Sequence, residues 1–479
     1  MESIVEERLI SFKELEQRIF DYVCTLGREI TQIILERYDK ELAKQRDTKI
    51  YRSKGRRGTS IKTLYGPVEY QRNVYIVKQE DGRNATVYLL DEAMQMDKIG
   101  LISSNLAEKI AMTITGATYR DTAETISSVC GQSISHTGVW GFIQRLGERI
   151  SEEEDAEVVK MKAGHCTGKK EIPVLFEEMD GVWLKMQGPD HRKMPKKEMK
   201  VFTMYEGWDA EAEKENRSQL VGKKMLAGME NSNEFHAKRE ALIQSTYNAD
   251  EIQQRILNGD GGSWIKEEND PDVITQLDPF HIQKSIKEYI KAPQARRIIT
   301  SLLAERKIDE MLEYISIYAE SVDSDEDNGK ESKKAKKLYD YLYNNKASLI
   351  PYNERNIKIP EPQQGVIYKG MGVQENQNCT LITMRMKHRR MRWGRGANNL
   401  AKVMCRKENK ELLETIDRYG NGLITDLYLE EIVEVLSAAK VPAKVGKGSP
   451  YLERWNGHMP LLDAMQTASR KAFMKAFTS

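Results

Sequence analysis

Apolar residues recur at three- and four-residue spacing from residue 4 to about 46, through Val5, Leu9, Phe12, Leu15, Ile19, Val23, Leu26, Ile30 and Ile33. That spacing predicts a long packing helix. The period then drops to two. Ser60 to Leu64, Val68 to Ile76 and Thr86 to Leu90 read as strands, broken by Tyr65-Gly66-Pro67, and predict a small β module. Helical spacing returns from Ile102 to Ile150. Leu106, Ile110 and Ile114 share a stripe, Tyr119 to Val129 forms a second helix, and after Cys130-Gly131-Gln132 a third opens at Ser133-Ile134-Ser135. Helix, glycine-bearing turn and serine-capped helix outline a helix-turn-helix, although many helical hairpins share that outline. If this helix enters a major groove, Ser135 and His136 face the bases. The acidic run Ser151 to Glu157 and the polar stretch Lys160 to Lys170 predict a linker, with a domain boundary near 165.

The second half alternates strands and helices. Ile172 to Phe176 is apolar, Val182, Leu184 and Met186 alternate with Trp183 and Lys185, and Lys200 to Tyr205 and Leu220 to Leu226 follow as strands. A helix opens at Asn231 with a capping-box pattern. A partly apolar strand, Ile252 to Leu257, then delivers Asp260 into Gly259-Asp260-Gly261-Gly262, and another apolar run ends at Leu277-Asp278-Pro279-Phe280-His281. This order predicts an α/β domain. From Gln283 to about Asn345 the pattern is helical and highly charged, with a polar break at 323–329 that reads as a disordered loop.

Composition narrows the class. A chain of 479 residues is long enough for two to four domains. Charged residues make up 31%, yet the net charge is only +1, so any nucleic-acid surface must be local. Arg56 and Arg57 lie in a basic stretch that reads either as a phosphate-contacting arm or as a solvated loop. The strongest basic run is Met384 to Arg395, with Arg385, Lys387, Arg389, Arg390 and Arg392 interleaved by methionines and Trp393 and no acid among them. It suits a DNA backbone; a solvated basic face is the alternative. Five scattered cysteines make neither a disulfide framework nor a zinc module. No uncharged apolar run is long enough to span a bilayer, and the acidic N-terminus lacks a signal-peptide core. An intracellular protein is expected.

The candidate chemistry rests on carboxylates. Asp180 and Asp260 stand at strand ends, and Glu375 would open a helix. Phosphodiester cleavage needs charge neutralisation, an activated water or hydroxyl and a stabilised leaving oxygen, which a pair of divalent ions supplies. Carboxylates are the hard ligands that Mg²⁺ prefers. The bland readings stay open: Asp180-Gly181 is also a good hairpin turn, and Asp260-Gly261-Gly262 an ordinary one. His281 reads as a satisfied core histidine rather than a zinc ligand.

In order along the chain, Tyr65-Gly66-Pro67-Val68 with Arg72 and Tyr75, Tyr88 to Glu92, Met179-Asp180-Gly181-Val182, Asn258 to Trp264, Leu277 to His281, and Glu375 to Ala397 resemble the bacterial DDE-class insertion-sequence transposases. The resemblance is to the Mutator-like branch, most closely the ISLre-type family, and covers about residues 50 to 405. It implies an RNase H-like catalytic domain over 166–284 and 363–408, with a helical insertion at 285–362. An N-terminal helix (1–50), a small β module (51–98) and a helix-turn-helix-like DNA-binding domain (99–165) would precede it, and a C-terminal region (409–479) would follow. It further implies that Asp180, Asp260 and Glu375 hold two Mg²⁺ or Mn²⁺ ions, and that Asp278 and His281 form a D-x-x-H signature with a structural role. Glu408, Glu411 and Glu414 remain alternatives for the third ligand. The expected partners are DNA (terminal inverted repeats and target) and further copies of the chain, in a bacterial cytoplasm at the nucleoid. The rival expectations are a metal-dependent nuclease without strand transfer and a non-catalytic DNA-binding regulator.

Overall fold

The computed structural model describes residues 10–188, 192, 194–265, 273–322 and 329–422, apart from the side chains of Asp97 and Arg389. The chain divides into two units. Residues 26–58 and 70–90 belong to the smaller, together with 423–479, which lie outside the described residues. Residues 59–69 and 91–422 belong to the larger, with the first 25.

Helix α1 (Phe12–Gln45) is followed by strands β1 (Arg52–Thr63), β2 (Gly66–Lys78) and β3 (Asn84–Val87), in the sheet order β1-β2-β3. Within the smaller unit, buried Asp39 accepts the backbone and side-chain amides of Asn73 at 3.0 and 2.7 Å, pinning α1 to β2. The basic stretch 52–57 is not a flexible arm. It is the outer half of β1, with every side chain exposed, and so carries none of the alternation that marks a half-buried strand. Arg56 donates to the Gln71 carbonyl at 3.2 Å and lies 3.7 Å from Glu36. Arg57 is exposed.

Short helices α2 (Leu89–Ala93) and α3 (Met96–Ile99) lead to α4 (Ser104–Ile114), α5 (Tyr119–Val129) and α6 (His136–Lys162). The acidic run 151–157 is therefore helix and not linker. Glu153 and Glu154 are held in place by Arg406 at 3.0 Å and Lys402 at 2.6 Å. No domain boundary falls at 165, because Leu106, Ile110, Phe142 and Leu146 share one hydrophobic core with Val182, Leu184 and Val201 of the following sheet.

That sheet is built from β4 (Val174–Lys185), β5 (Lys196–Tyr205), β8 (Lys224–Gly228), β9 (Gln254–Gly259) and β10 (Val273–Leu277). Between β5 and β8 come β6 (Gly207–Asp209), α7 (Ala210–Lys214) and β7 (Leu220–Val221); between β8 and β9 comes α8 (Ser232–Thr246). Among the described residues the strand order is β10-β9-β4-β5-β8, with β10, β9 and β4 parallel and β5 and β8 antiparallel to their neighbours. Successive side chains of a strand point to opposite faces. On β4, Leu175 and Met179 accordingly join the core beneath α8, while Val182 and Leu184 join that of the helical layer.

After β10, α9 (Pro279–Tyr289), α10 (Pro293–Ala304), α11 (Ile308–Ser321) and α12 (Lys330–Asn344) form a bundle with its own core around Ile286, Ile299, Met311, Ile315 and Leu338. The bundle lies in the stretch that the resemblance gives as a helical insertion, 285–362, and begins a few residues before it. Residues 323–328 of its polar break lie outside the described residues. The chain returns through β11 (Val366–Ile367), which pairs with β6, and α13 (Gln374–Asn378), which continues as a π-helical stretch to Lys387. It ends, as described, with α14 (Gly396–Glu408) and α15 (Leu412–Tyr419). No described helix is long and apolar enough to cross a membrane.

Candidate metal centre

The parallel pairings stop in register, although β4 itself runs on against β5. Met179 of β4, Gly259 of β9 and Leu277 of β10 lie side by side, so the next residues, Asp180, Asp260 and Asp278, follow one another across the row where that pairing ends. One row earlier is a buried polar ladder. Asn258 donates to Glu178 at 2.9 Å and Gln276 donates to Asn258 at 3.1 Å. The ends of parallel strands are where open α/β sheets place their ligands.

Asp180 sits within β4, opposite Val201, and is not a hairpin turn. Its Oδ2 accepts from Asn378 Nδ2 at 2.6 Å and lies 3.6 Å from His281 Nε2. Asp180, His281 and Glu375 bring their ligand atoms within 4.8 Å of one another. Asp180 and Glu375 converge, but the third member of the cluster is His281, one helical turn after Asp278. Asp278 caps α9 by accepting the Phe280 amide at 3.3 Å, which aims His281 back at Asp180.

Asp260 stands beside this cluster rather than in it. Its Oδ1 is turned back onto the Gly262 amide at 2.8 Å, and its carbonyl accepts the Tyr341 hydroxyl of α12 at 2.9 Å. Gly261 follows at φ +78°, a left-handed backbone that favours glycine. The negative charge of Asp260 nevertheless reaches both His281 and Glu198. Burial opposes a charged imidazole at His281, but Asp180, Asp278 and Asp260 outweigh it and raise its pKa. Burial lifts the Asp278 carboxyl to about 6 despite His281.

Two glutamates are absent from the expected set. Glu178, fully buried, accepts from the Tyr205 hydroxyl at 2.6 Å, from Asn258, and from the backbone amides of Gly372, Val373 and Gln374 at 3.0, 3.1 and 3.1 Å. It therefore clamps the start of α13, and with it Glu375, onto β4. The sequence signal was there: Glu178 and Asp180 are two apart on a strand and so share a face. Glu198 of β5 covers Gly181, where a Cβ would overlap its carboxylate. Its pKa is raised by burial first, and by the charges of Asp260 and Asp180. Glu177, on the opposite face, is bound by Arg239 at 2.9 Å and Arg255 at 2.6 Å, an ion pair under α8 that holds its carboxyl low against its burial.

The alternative glutamates are engaged elsewhere: Glu408 with Lys223 at 3.0 Å, Glu411 with Lys224 at 2.6 Å and Glu414 with Arg418 at 3.2 Å. The basic run divides. Lys387, Arg390 and Arg392 are exposed, while the side chain of Arg389 lies outside the described residues. Arg385 and Trp393 are buried, contrary to expectation. Arg385 Nε donates to the Ile114 carbonyl at 2.8 Å, Trp393 Nε1 donates to the Met386 carbonyl at 2.6 Å, and the Trp393 backbone pairs with the end of β4. Of the methionines that interleave the run, Met386 is buried in the shared core and Met391 packs against it, while Met384 is exposed. Ser135 caps α6 by accepting the Gly138 amide at 3.1 Å, and His136 beside it is exposed.

Fold and site together define a mixed α/β protein with an acidic and histidine cluster at the ends of its parallel strands. The sequence model of the uncharacterised protein family UPF0236 matches residues 5–417, and the chain belongs to that family. A UPF0236 protein of Caldanaerobacter subterraneus subsp. tengcongensis, whose name joins eleven gene designations, is 26% identical over 353 residues, 72% of this chain and 69% of its own. The UPF0236 protein in the vanSb 3' region of Streptococcus gallolyticus is 23% identical over 412 residues, 83% of each chain.

Proposed function

We propose that this protein is a DNA transposase of the DDE class, which cuts and joins DNA strands with the help of divalent cations. The observation that carries the reading is the convergence of Asp180, His281 and Glu375 at the ends of the parallel strands. Two carboxylates and an imidazole suit Mn²⁺, and Mg²⁺ where water completes the shell. A second ion would lie toward Asp260 and Glu198. Bound cations would neutralise the phosphodiester and lower the pKa of an attacking water or 3′-hydroxyl. The chain's own part is positioning. Glu178 fixes the α13 backbone, Asn378 holds Asp180, and Asp278 orients His281, so that little reorganisation remains when a phosphate arrives.

The sheet with its helical insertion agrees with the RNase H-like fold that the resemblance implies. Exposed Lys387, Arg390 and Arg392 would contact backbone phosphates. A relative with eleven gene designations in one name is consistent with an element that multiplies within a genome. Joining two element ends calls for more than one copy of the chain.

The test is to incubate the purified chain with Mg²⁺ or Mn²⁺ and labelled DNA from the segments flanking its own gene. Strand nicks followed by joined products are expected. Nicks without joining would reduce the reading to a nuclease, and binding without cleavage to a regulator. Cleavage undiminished in Asp180→Ala or Glu375→Ala would overturn the assignment of the centre.

A further inference from the structure

Asp260 and Glu198 stand beside the cluster of Asp180, His281 and Glu375, and they come from different parts of the fold. Asp260 leaves β9 into a turn with two glycines, and Glu198 lies on β5. One side chain touches both. The polar atom of Trp264 is its indole N–H, which donates to the Glu198 carboxylate. The same ring lies against Gly262, where a methyl group would meet it at 3.8 Å, and the Gly262 amide is the donor that holds Asp260 Oδ1 at 2.8 Å. Trp264 is itself fixed from α8. Its ring meets Phe235 edge-on with centroids 6.0 Å apart, and Lys200 Nζ lies 5.6 Å from the centre of its face. Its carbonyl bonds to His236 Nε2, while Nδ1 of that imidazole faces Arg239 Nη1 at 3.2 Å. A guanidinium can only donate, so Nδ1 accepts, and the proton sits on Nε2 and points at the Trp264 carbonyl. Arg239 is fully buried and bound to Glu177 of β4 at 2.9 Å. Directional contacts thus run from Glu177 through Arg239, His236 and Trp264 to Glu198, each residue buried or half-buried.

An indole buried for packing alone needs only some acceptor for its N–H. Here the acceptor is a carboxylate that feels the charges of both Asp260 and Asp180. We propose that Trp264 is a positioning residue, which sets the Glu198 and Asp260 carboxylates at a fixed separation for a second divalent cation. The proposal rests on the two-cation reading above and adds the group that holds the second site together. Gly261 and Gly262 leave the turn free to bend. Without the indole, Asp260 keeps its charge and loses its fixed place, and Glu198 loses its hydrogen bond. The first site does not depend on Trp264. Asn378 holds Asp180, Glu178 clamps the backbone before Glu375, and Asp278 caps the helix that aims His281. Removing the indole N–H therefore separates the two sites, whereas a general loosening of the sheet edge would weaken both.

The experiment titrates the full chain with Mn²⁺ alone in a calorimeter and reads the melting temperature of each variant. Wild type is expected to take up Mn²⁺ in two separable steps. Trp264→Phe keeps the ring and removes the N–H. It should leave the tighter step within about twofold and weaken the second about tenfold or more, as loss of a hydrogen bond to a charged group does. His236→Ala should weaken the second step in the same way without touching the ring, and His236→Gln, which can still donate to the Trp264 carbonyl, should retain most of it. The double variant Trp264→Phe/Glu198→Gln should lose no more than Glu198→Gln alone, because both changes break one link. A second step unchanged in Trp264→Phe or in His236→Ala, equal loss of both steps, or additive losses in the double variant would overturn the proposal. A single Mn²⁺ step in wild type overturns it as well, while cleavage of labelled DNA remains the separate measure of the DNA-processing reading.

Discussion

The carboxylate of Glu178 accepts the backbone amide of Gln374, the residue before Glu375, at 3.1 Å. It also takes the amides of Gly372 and Val373. Glu178 points into the same face of β4 as Asp180, so one strand both supplies one member of the cluster and fastens the loop that supplies another. Hydrogen bonds to a charged acceptor contribute about 1.5–3 kcal/mol each, and unmade buried donors cost comparably. Glu178→Ala should lower unfolding stability by about 3 kcal/mol or more in urea melts. Glu178→Gln keeps the shape but turns a donor toward the amides, and should retain the fold while weakening Mn²⁺ binding. Wild-type Mn²⁺ affinity in Glu178→Gln would show that the clamp does not position Glu375.

Divalent-cation binding separates the members of the centre. In calorimetric titration with Mn²⁺, Asp180→Asn and Glu375→Gln should each weaken the tighter binding step by at least tenfold. Loss of His281 should do likewise. Asp260→Asn should spare that step and remove a weaker second one, because Asp260 lies beside the cluster. Equal loss of both steps in Asp260→Asn would place Asp260 among the first ion's ligands.

Gly181 reports on Glu198. A methyl group at position 181 would overlap the Glu198 carboxylate, which sits at the flexible end of its side chain and is free to swing away. Gly181→Ala should therefore fold, with a melting temperature within a few degrees of wild type, yet lose most metal-dependent activity if Glu198 takes part. The double variant Gly181→Ala/Glu198→Ala should be no worse than Glu198→Ala alone. Additive losses would argue for independent effects.

Acid stability follows from the buried network between α6 and α14. Burial opposes the charge of Glu230, but Lys402 at 2.8 Å and Lys238 at 3.2 Å outweigh it and hold the carboxyl at about 2, against 4.5 ordinarily. A folded pKa below the unfolded one means stability that is fully present above about 4.5 and is lost as pH falls through about 2. Glu230→Gln should cost about 3 kcal/mol at pH 7 and half of that or less at pH 3, measured by urea unfolding at each pH. A cost independent of pH would show that charge pairing is not its origin.

The helical stripes, the capped start of α8 at Asn231, the β9 and β10 strands and the insertion were legible because each repeats a local period. Asp180 and Glu375, which the structure brings together, were singled out through motif order rather than spacing. What stayed hidden depends on long-range pairing. Nothing local in Arg52 to Arg57 marks a strand whose side chains all face solvent, and nothing in Ser151 to Glu157 shows that Lys402 and Arg406 await it. Arg385 and Trp393 looked like surface residues because a basic run carries no period. Their burial follows from the Ile114 carbonyl and the end of β4, both remote in sequence.

Asn378 reaches back 198 residues to Asp180, across the whole helical bundle. A ribosome must therefore finish most of the polypeptide before the centre can close, since a growing chain that has reached only α12 holds the strand ends and lacks the residue that completes them. Contacts so distant are also among the slowest to form. If the centre cuts DNA, the nascent chain is harmless by construction, and its activity appears only after translation has passed α13.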